Sequence, residues 1–169
     1  SSTLAEHVSH DEPLERVVEM LVQCIRSSLP LDQPEALVNI VQEGSYRWRI
    51  ARMPRRLYDG LSGVCLFLLE AGHHLGDESL CRDAERLRDW DAERMAPESM
   101  PGAALGEPSQ AFIDLAFACR GRSERFLARG IRTLATHARS IAPESGSADI
   151  MSGVAGDVLL LVRAFGLTG

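Results

Sequence analysis

Residues 149–162 read DIMSGVAGDVLLLV, and residues 59–69 read DGLSGVCLFLL. In both stretches an acidic residue is followed by serine, glycine and valine at the same positions, and an apolar run comes next. Glycine weakens a helix, but it permits unusual dihedral angles and close approach between backbones. The shared pattern therefore predicts two copies of one structural unit, in which a tight loop leads into a buried helix.

A degenerate copy of the same unit lies between these two. Apolar helices are predicted to begin near Gly63, near residues 106–109 and near Gly153, at a spacing of about 45 residues that is typical of helical repeats. A charged, amphipathic helix follows each of the first two apolar helices. The sequence thus predicts an all-α fold of helical hairpins in a single domain over residues 1–169. The expected divisions are a flexible tail over residues 1–11 and repeats near 12–90, 91–140 and 141–169.

The segment before the first copy carries three further predictions. Residues 12–29 place apolar side chains at three-to-four spacing, which predicts an amphipathic helix. Residues 34–44 are predicted as a second, shorter helix that ends at Gly44. Residues 45–56 alternate aromatic, apolar and basic residues around Pro54, which favours an irregular connector or a short extended segment.

Composition restricts the class of protein. The 169 residues are 45% hydrophobic and 25% charged, which is ordinary for a soluble globular domain. A net charge of -6 argues against nucleic acid as the main partner, and no apolar run has the length that a membrane span needs. Four cysteines without metal-finger spacing and a polar amino terminus favour a cytoplasmic location with free thiols. We therefore expect neither a nucleic-acid partner nor a membrane partner.

The two glycine-bearing stretches carry a resemblance to a known family. LYDGLSGVCLFL at residues 57–68, followed by LGD, and ADIMSGVAGDVLLLV at residues 148–162 resemble the lanthionine synthetase C-like family. The similarity is strongest to the first part of the cyclase domain in class II lanthipeptide synthetases, and it runs from about residue 12 to the end of the chain. The resemblance implies a partial α/α toroid with about three of seven helical hairpins.

The resemblance also implies chemistry on a dehydrated precursor peptide. Family cyclases hold zinc through two cysteines and a histidine, and the metal lowers the pKa of a peptide cysteine that adds to a dehydroamino acid to close a thioether ring. The acidic residue of the family's D-x-x-x-G-x-x-G loop is catalytic or orients the substrate, and its counterpart here is Asp149. The resemblance therefore makes Asp149 the candidate catalytic residue. The candidate substrate-binding residues are Tyr58, Asp59, Ser152, Gly153 and Gly156.

The sequence departs from the family at the metal. The Trp-Cys-x-Gly and Cys-His-Gly loops that hold zinc in the family do not occur in this sequence. Zinc is thus expected in a complete family member, but no metal ligand is assigned in this chain. The remainder of the cyclase or a partner synthetase would supply the zinc site. The four cysteines are interpreted as small core residues, and His73 and His74 as solvated side chains at a helix end. His137 is placed on a surface helix.

An incomplete ring predicts contacts with other molecules. Inner helices built to be enclosed would leave an apolar edge, so we expect a homo-oligomer or a complex in addition to the precursor peptide. A different interpretation is a non-catalytic helical module that binds a peptide or a partner synthetase. In a third, a glycan-directed toroid, Asp59 and Asp149 form a carboxylate pair across a cleft.

Two local features keep simpler interpretations open. Asp59 lies one turn before a helix, where its carboxylate would satisfy free N–H groups without any catalytic role. Five arginines between residues 47 and 56 are interpreted as a connector lying on acidic helices, or else as a docking surface for an acidic partner or leader peptide. Their positions are Arg47, Arg49, Arg52, Arg55 and Arg56.

Overall fold

The computed structural model describes residues 11–94, 104, 106–121, 123–140, 149–150 and 153–168. Six α-helices dominate this part of the chain and confirm the predicted all-α class. A two-stranded sheet and one turn of 3-10 helix, Pro34–Ala36, are the other regular elements described. The elements are α1 Asp11–Ser28, β1 Val38–Glu43, β2 Arg47–Arg52, α2 Leu61–Leu75, α3 Glu78–Arg94, α4 Glu107–Gly121, α5 Glu124–Ser140 and α6 Val154–Thr168.

The helices after the sheet form successive hairpins. α2 packs along α3, and α4 packs along α5. α4 also contacts both α2 and α6, so the three apolar helices follow one another in chain order, with α3 and α5 packed against them. This arrangement agrees with the alternation of apolar and charged helices in the sequence, and the toroid beyond it stays a prediction.

The first hairpin is closed by glycines. Gly76 ends α2 with φ of 65°, a left-handed conformation that favours glycine, and Asp77 N–H donates to the Gly72 carbonyl. A Cβ atom at Gly72 would lie 2.6 Å from the Cys81 sulfur, so this position also lets α3 approach α2 closely. The core between the helices contains Leu68, Leu80 and fully buried Phe126, among other apolar residues.

Residues 34–44 do not form the predicted helix. After a single 3-10 turn the chain forms β1, which pairs antiparallel with β2 from Val38↔Arg52 to Glu43↔Arg47. β-branched Val38, Ile40 and Val41 favour a strand, and Gly44, at φ 70°, provides the turn. The helix prediction was wrong because the partner strand lies in residues 45–56, where the alternative of a short extended segment is confirmed.

Burial differs from expectation at both ends of the described chain. The predicted helix α1 is confirmed, but it buries Val22 while Leu14, Val17 and Leu21 are exposed. α6 likewise exposes several large apolar side chains. These are Val158, Leu159, Leu161, Val162 and Phe165.

The cysteines divide between two environments. Cys65 is fully buried in α2 and confirms its interpretation as a core residue. Cys24 and Cys119 are exposed, so the core interpretation is wrong for both, and Cys81 has intermediate burial. Both exposed thiols lie on the outward side of a helix, which three-to-four spacing alone did not distinguish from the buried stripe. Within the described residues no helix is both long and apolar enough to cross a membrane.

Candidate functional site

The loop before α2 approaches the helix as closely as its glycines suggest. A Cβ atom at Gly60 would lie 2.2 Å from the Pro54 carbonyl oxygen, and one at Gly63 would lie 2.4 Å from that of Leu57. Real side chains do not tolerate such distances to backbone atoms, so both positions require glycine unless the loop moves. The backbone N–H of Leu61 donates to the Pro54 carbonyl at 2.8 Å and fixes the loop against the start of α2.

Tyr58 and Asp59 lie exposed on this loop. The Asp59 carboxylate is 3.5 Å from the Arg56 guanidinium, and its backbone carbonyl accepts a hydrogen bond from the Asn39 side chain. Gly60, not Asp59, is the N-cap of α2, so the carboxylate pairs with a neighbouring arginine rather than serving as the N-cap side chain. The Tyr58 side chain is 75% exposed and is therefore open to a ligand.

Two adjoining pockets run along the apolar helices from this loop. A pocket of about 420 Å³ begins at Tyr58 and continues over Leu66 and Phe67 of α2. A second pocket of about 380 Å³ lies over Phe112 of α4 and reaches α6. Glu70 lines both pockets and is ion paired with Arg120, whose Nε donates at 3.0 Å, so the groove combines an apolar floor with a charged pair at its middle.

The start of α6 carries the second copy of the motif. Asp149 is exposed, while Gly153 and Gly156 are buried, and the Gly156 N–H donates to the Gly153 carbonyl at 3.1 Å. Ser152 lies outside the described residues. Asp59 precedes α2, and Asp149 precedes α6. Because α4 contacts both of these helices, it lies between them.

α5 and α6 are joined by a polar contact that the sequence did not reveal. His137 Nε2 lies 2.9 Å from Oδ2 of Asp157, whose side chain is almost completely buried. The prediction placed His137 on a surface helix, but its side chain is only 12% exposed. This pair holds the beginning of α6 against α5.

The most prominent polar feature is a cluster of buried ions that sequence patterns missed. Arg88 of α3, only 1% exposed, donates from Nε and Nη2 to both oxygens of Asp114 of α4, each at 2.8 Å. Arg129 of α5 donates to the same two oxygens at 3.0 and 2.9 Å. Asp91 completes the pairing, because it accepts from Arg88 Nη1 and lies 3.2 Å from Arg55.

Gln110 connects this cluster to the loop before α2. Its Oε1 accepts from Arg88 at 2.8 Å, while its Nε2 donates to the Arg55 carbonyl at 2.7 Å and to Ser62 Oγ at 3.0 Å. Ser62 is the serine of the repeated motif. The motif serine therefore has a structural partner in the middle repeat, which explains its position next to the two glycines.

Burial and charge act on the titrating groups of the cluster in opposite directions. Burial opposes the charge of Arg88, but the hydrogen bonds and charge of Asp114 outweigh it and raise the pKa of Arg88. Burial raises the pKa of Asp91, although Arg55 and Arg88 partly counteract it. Arg88, Asp91 and Asp114 are shielded from solvent, so these three side chains are not accessible to a ligand. The cluster therefore serves to hold the helices together.

The cysteines and histidines among the described residues do not fit the zinc that the family resemblance implies. Across the described ranges, no three of the histidine, cysteine, aspartate and glutamate side chains come together as a metal would require. Burial raises the pKa of the Cys65 thiol, whereas a zinc ligand must be a thiolate. The described residues therefore supply no set of zinc ligands.

The sequence matches no family model, and no curated protein matches it. The resemblance to the lanthionine synthetase C-like family therefore depends on the repeated motifs alone.

Proposed function

We propose that this chain is part of a lanthionine synthetase C-like cyclase domain and handles a dehydrated precursor peptide. The zinc that activates the peptide cysteine in such a domain would be held outside the described residues or by another chain. The role of the described residues is to bind and orient the peptide. The single observation that carries the proposal is the groove along α2, α4 and α6, which begins beside the first copy of the motif at Tyr58.

The groove suits a peptide of small and apolar residues. Its floor includes Leu66, Phe67 and Phe112, which would contact apolar side chains, and a bound segment would be removed from water along its length. Tyr58 at one end combines an aromatic ring with a hydroxyl group, a combination that contacts peptides well because the ring loses little freedom on binding. The Glu70–Arg120 pair supplies both donors and acceptors to the peptide backbone.

Asp149 is proposed to orient the substrate within this arrangement. It is exposed and lies four residues before Gly153 in the sequence, which immediately precedes α6, the third of the apolar helices. A carboxylate at this position would accept a hydrogen bond from a peptide N–H or take up a proton during addition of a thiol. Asp59 would contribute to binding beside Tyr58, together with its partner Arg56.

A matched pair of tyrosines tests the proposal. The probe is an uncharged synthetic peptide that contains a cysteine and a dehydroalanine, and binding is measured by fluorescence anisotropy. Tyr58→Ala is expected to weaken binding about tenfold, because removing an aromatic anchor at an interface costs more than about 1 kcal/mol. Tyr46→Ala, at the turn between β1 and β2 and 93% exposed, is the control and should leave the affinity unchanged.

The two outcomes separate clearly. A loss confined to Tyr58→Ala supports a groove that begins at this residue. Equal affinities for the wild type and both variants, or no binding of the peptide, would overturn the proposal. Circular dichroism of each variant would verify that neither substitution unfolds the helices.

The alternative, a non-catalytic helical module, is favoured by a different observation. Val162 and Phe165 of α6 are 66% and 74% exposed, an apolar face on a helix that the described chain covers on its other side. Such a face is typical of contact with another protein. If the chain binds the peptide equally well after Asp149→Asn and dehydroalanine can be replaced by alanine without loss, this alternative is preferred.

A further inference from the structure

The sheet of β1 and β2 has an apolar face that the rest of the described chain leaves uncovered. Directly paired residues share a face, so Ile40 and Ile50 lie side by side, with Val38 and Trp48 at neighbouring positions on the same face. All four side chains are more than half exposed. Neither strand contributes a residue to the buried core clusters, which indicates that this face does not serve to stabilise the helices.

Charge and hydrophobicity alternate along β2. Trp48 and Ile50 point to the apolar face, which ends at Arg52 opposite Val38, and Arg47 and Arg49 point to the other face. Arg49 is ion paired with Glu43, while Arg47 has no ion-pair partner among the described residues. Residues 38–52 contain three arginines and one glutamate in a chain of net charge -6, so the sheet is a basic region of an acidic protein.

The edge of β2 is open in the described structure. The sheet has two strands there, and β2 pairs only with β1. On β1 the Ile40 N–H is already bonded to the Asn39 side chain at 2.8 Å, which makes that edge less available. An exposed strand edge offers unpaired N–H and C=O groups, to which an extended peptide adds as a further strand.

We propose that β2 is a docking site for an extended acidic peptide in which apolar and acidic residues alternate. Added as a third strand, such a peptide would place its apolar side chains beside Trp48 and Ile50 and its carboxylates beside Arg47 and Arg49. Cross-strand pairs of both kinds stabilise a sheet. This site is separate from the groove on the apolar helices, and it does not depend on the proposed cyclase function.

Charge and shape distinguish this occupant from two others. A second copy that added its own β2 antiparallel along the open edge of β2 would place its arginines beside Arg47 and Arg49, and like charges in such positions repel. A membrane surface would contact the tip of the hairpin first, but the tip consists of Gly44, Ser45 and Tyr46, and the apolar residues lie in the middle of the strands. An acidic strand satisfies both the row of arginines and the apolar face.

The test uses a labelled peptide of alternating glutamate and valine, as long as the strands of the sheet, and measures binding by fluorescence anisotropy. We expect the full chain to bind it and the double variant Arg47→Glu, Arg49→Glu to bind about tenfold more weakly, because two attractive pairs become repulsive. Arg82→Glu, a change at an exposed arginine of α3, is the control and should bind as the wild type does. A lysine-for-glutamate version of the peptide should not bind.

Backbone methylation of the peptide tests the added strand itself. Two versions of the peptide carry N-methyl groups on alternate backbone amides, one on the odd-numbered and the other on the even-numbered residues. If the peptide adds as a third strand, one version should bind and the other should not. The proposal would be overturned if both methylated versions bound. It would also be overturned if the unmethylated peptide and both methylated versions all failed to bind. Two further results would overturn it, each in the absence of peptide binding. One is binding of phosphatidylglycerol vesicles that depends on Arg47 and Arg49, and the other is self-association, detected by sedimentation, that depends on the same two residues.

Discussion

Two groups of arginines in this chain have opposite surroundings. Arg55, Arg88 and Arg129 lie among the helices, where Asp91 and Asp114 accept their hydrogen bonds or lie within ion-pair distance. Arg47, Arg49 and Arg52 lie on β2, where all three are exposed. The first group joins α3, α4, α5 and the loop before α2, so it contributes to the fold. The second contributes little to the fold and is open to a partner, so residue type alone does not separate a structural arginine from a binding one.

The largest effect is expected at the centre of the buried group. Asp114→Ala removes the shared acceptor of Arg88 and Arg129 and leaves buried positive charge without its partner, which costs about 3–5 kcal/mol of unfolding free energy. Urea denaturation followed by circular dichroism measures the loss. Glu70→Ala, which removes the exposed partner of Arg120, is the matched control and should unfold near the wild-type midpoint. Similar losses of unfolding free energy in both variants would mean that the buried ion pairs stabilise the fold no more than the exposed pair does.

A smaller effect is expected where the loop that carries Arg55 contacts α2. Gly63→Ala would bring a methyl group to within 2.4 Å of the Leu57 carbonyl oxygen, and displacement of the loop should cost about 1–3 kcal/mol. Gly166→Ala, in a helical position with open space around it, should stabilise the chain by up to about 1 kcal/mol. Thermal unfolding of both variants measures the difference, and shifts of the same sign would contradict the close approach at the motif.

The sequence predicted the helices better than the contacts between them. Three-to-four spacing identified α1, α3 and α5, and the motif glycines Gly60 and Gly63 indicated a close approach that the structure confirms. It failed at residues 34–44, because a strand acquires its stability from a partner that the local pattern does not contain.

The buried cluster was also missed, and the reason is chemical. Arg88 and Asp91 lie in a helix whose charge suggests a solvated face, and Asp114 is an isolated acid in an apolar helix. An acid inside an apolar helix is the one signal that indicates a buried partner, since an unpaired charge there would be costly. Its partners are contributed by other helices, so their identity follows only from the packing. The roles of Asp149 and of Ser152, which lies outside the described residues, stay predictions.

The smallest effect on stability is expected at Asp77. The exposure of its side chain, 36%, is intermediate between that of the buried and that of the exposed arginines. Asp77 directly precedes α3, and hydrogen bonds from the Ser79 hydroxyl and backbone N–H lower the pKa of its carboxyl group. A lowered pKa in the folded state means that the stabilisation is present above the ordinary pKa of aspartate and is lost as the pH falls through the lowered value. The difference in unfolding free energy between the wild type and Asp77→Asn should therefore shrink in acid.

Denaturation of both chains over a series of pH values measures this dependence. Asp32→Asn, at an exposed residue of the turn before β1, provides the control for a general change in charge. A difference between the wild type and Asp77→Asn that is constant with pH would show that the negative charge of Asp77 does not matter for stability.

We propose that the chain binds a dehydrated peptide along the groove and orients it through Asp149, before α6. The most direct test is the affinity of the cysteine- and dehydroalanine-containing peptide for the wild type, for Asp149→Asn and for Asp32→Asn, measured by titration calorimetry. The account predicts binding by the wild type and by Asp32→Asn, with affinity reduced about fivefold or more in Asp149→Asn, because a hydrogen bond to a charged acceptor is lost. Equal affinity in all three chains, or no binding by any of them, would contradict it.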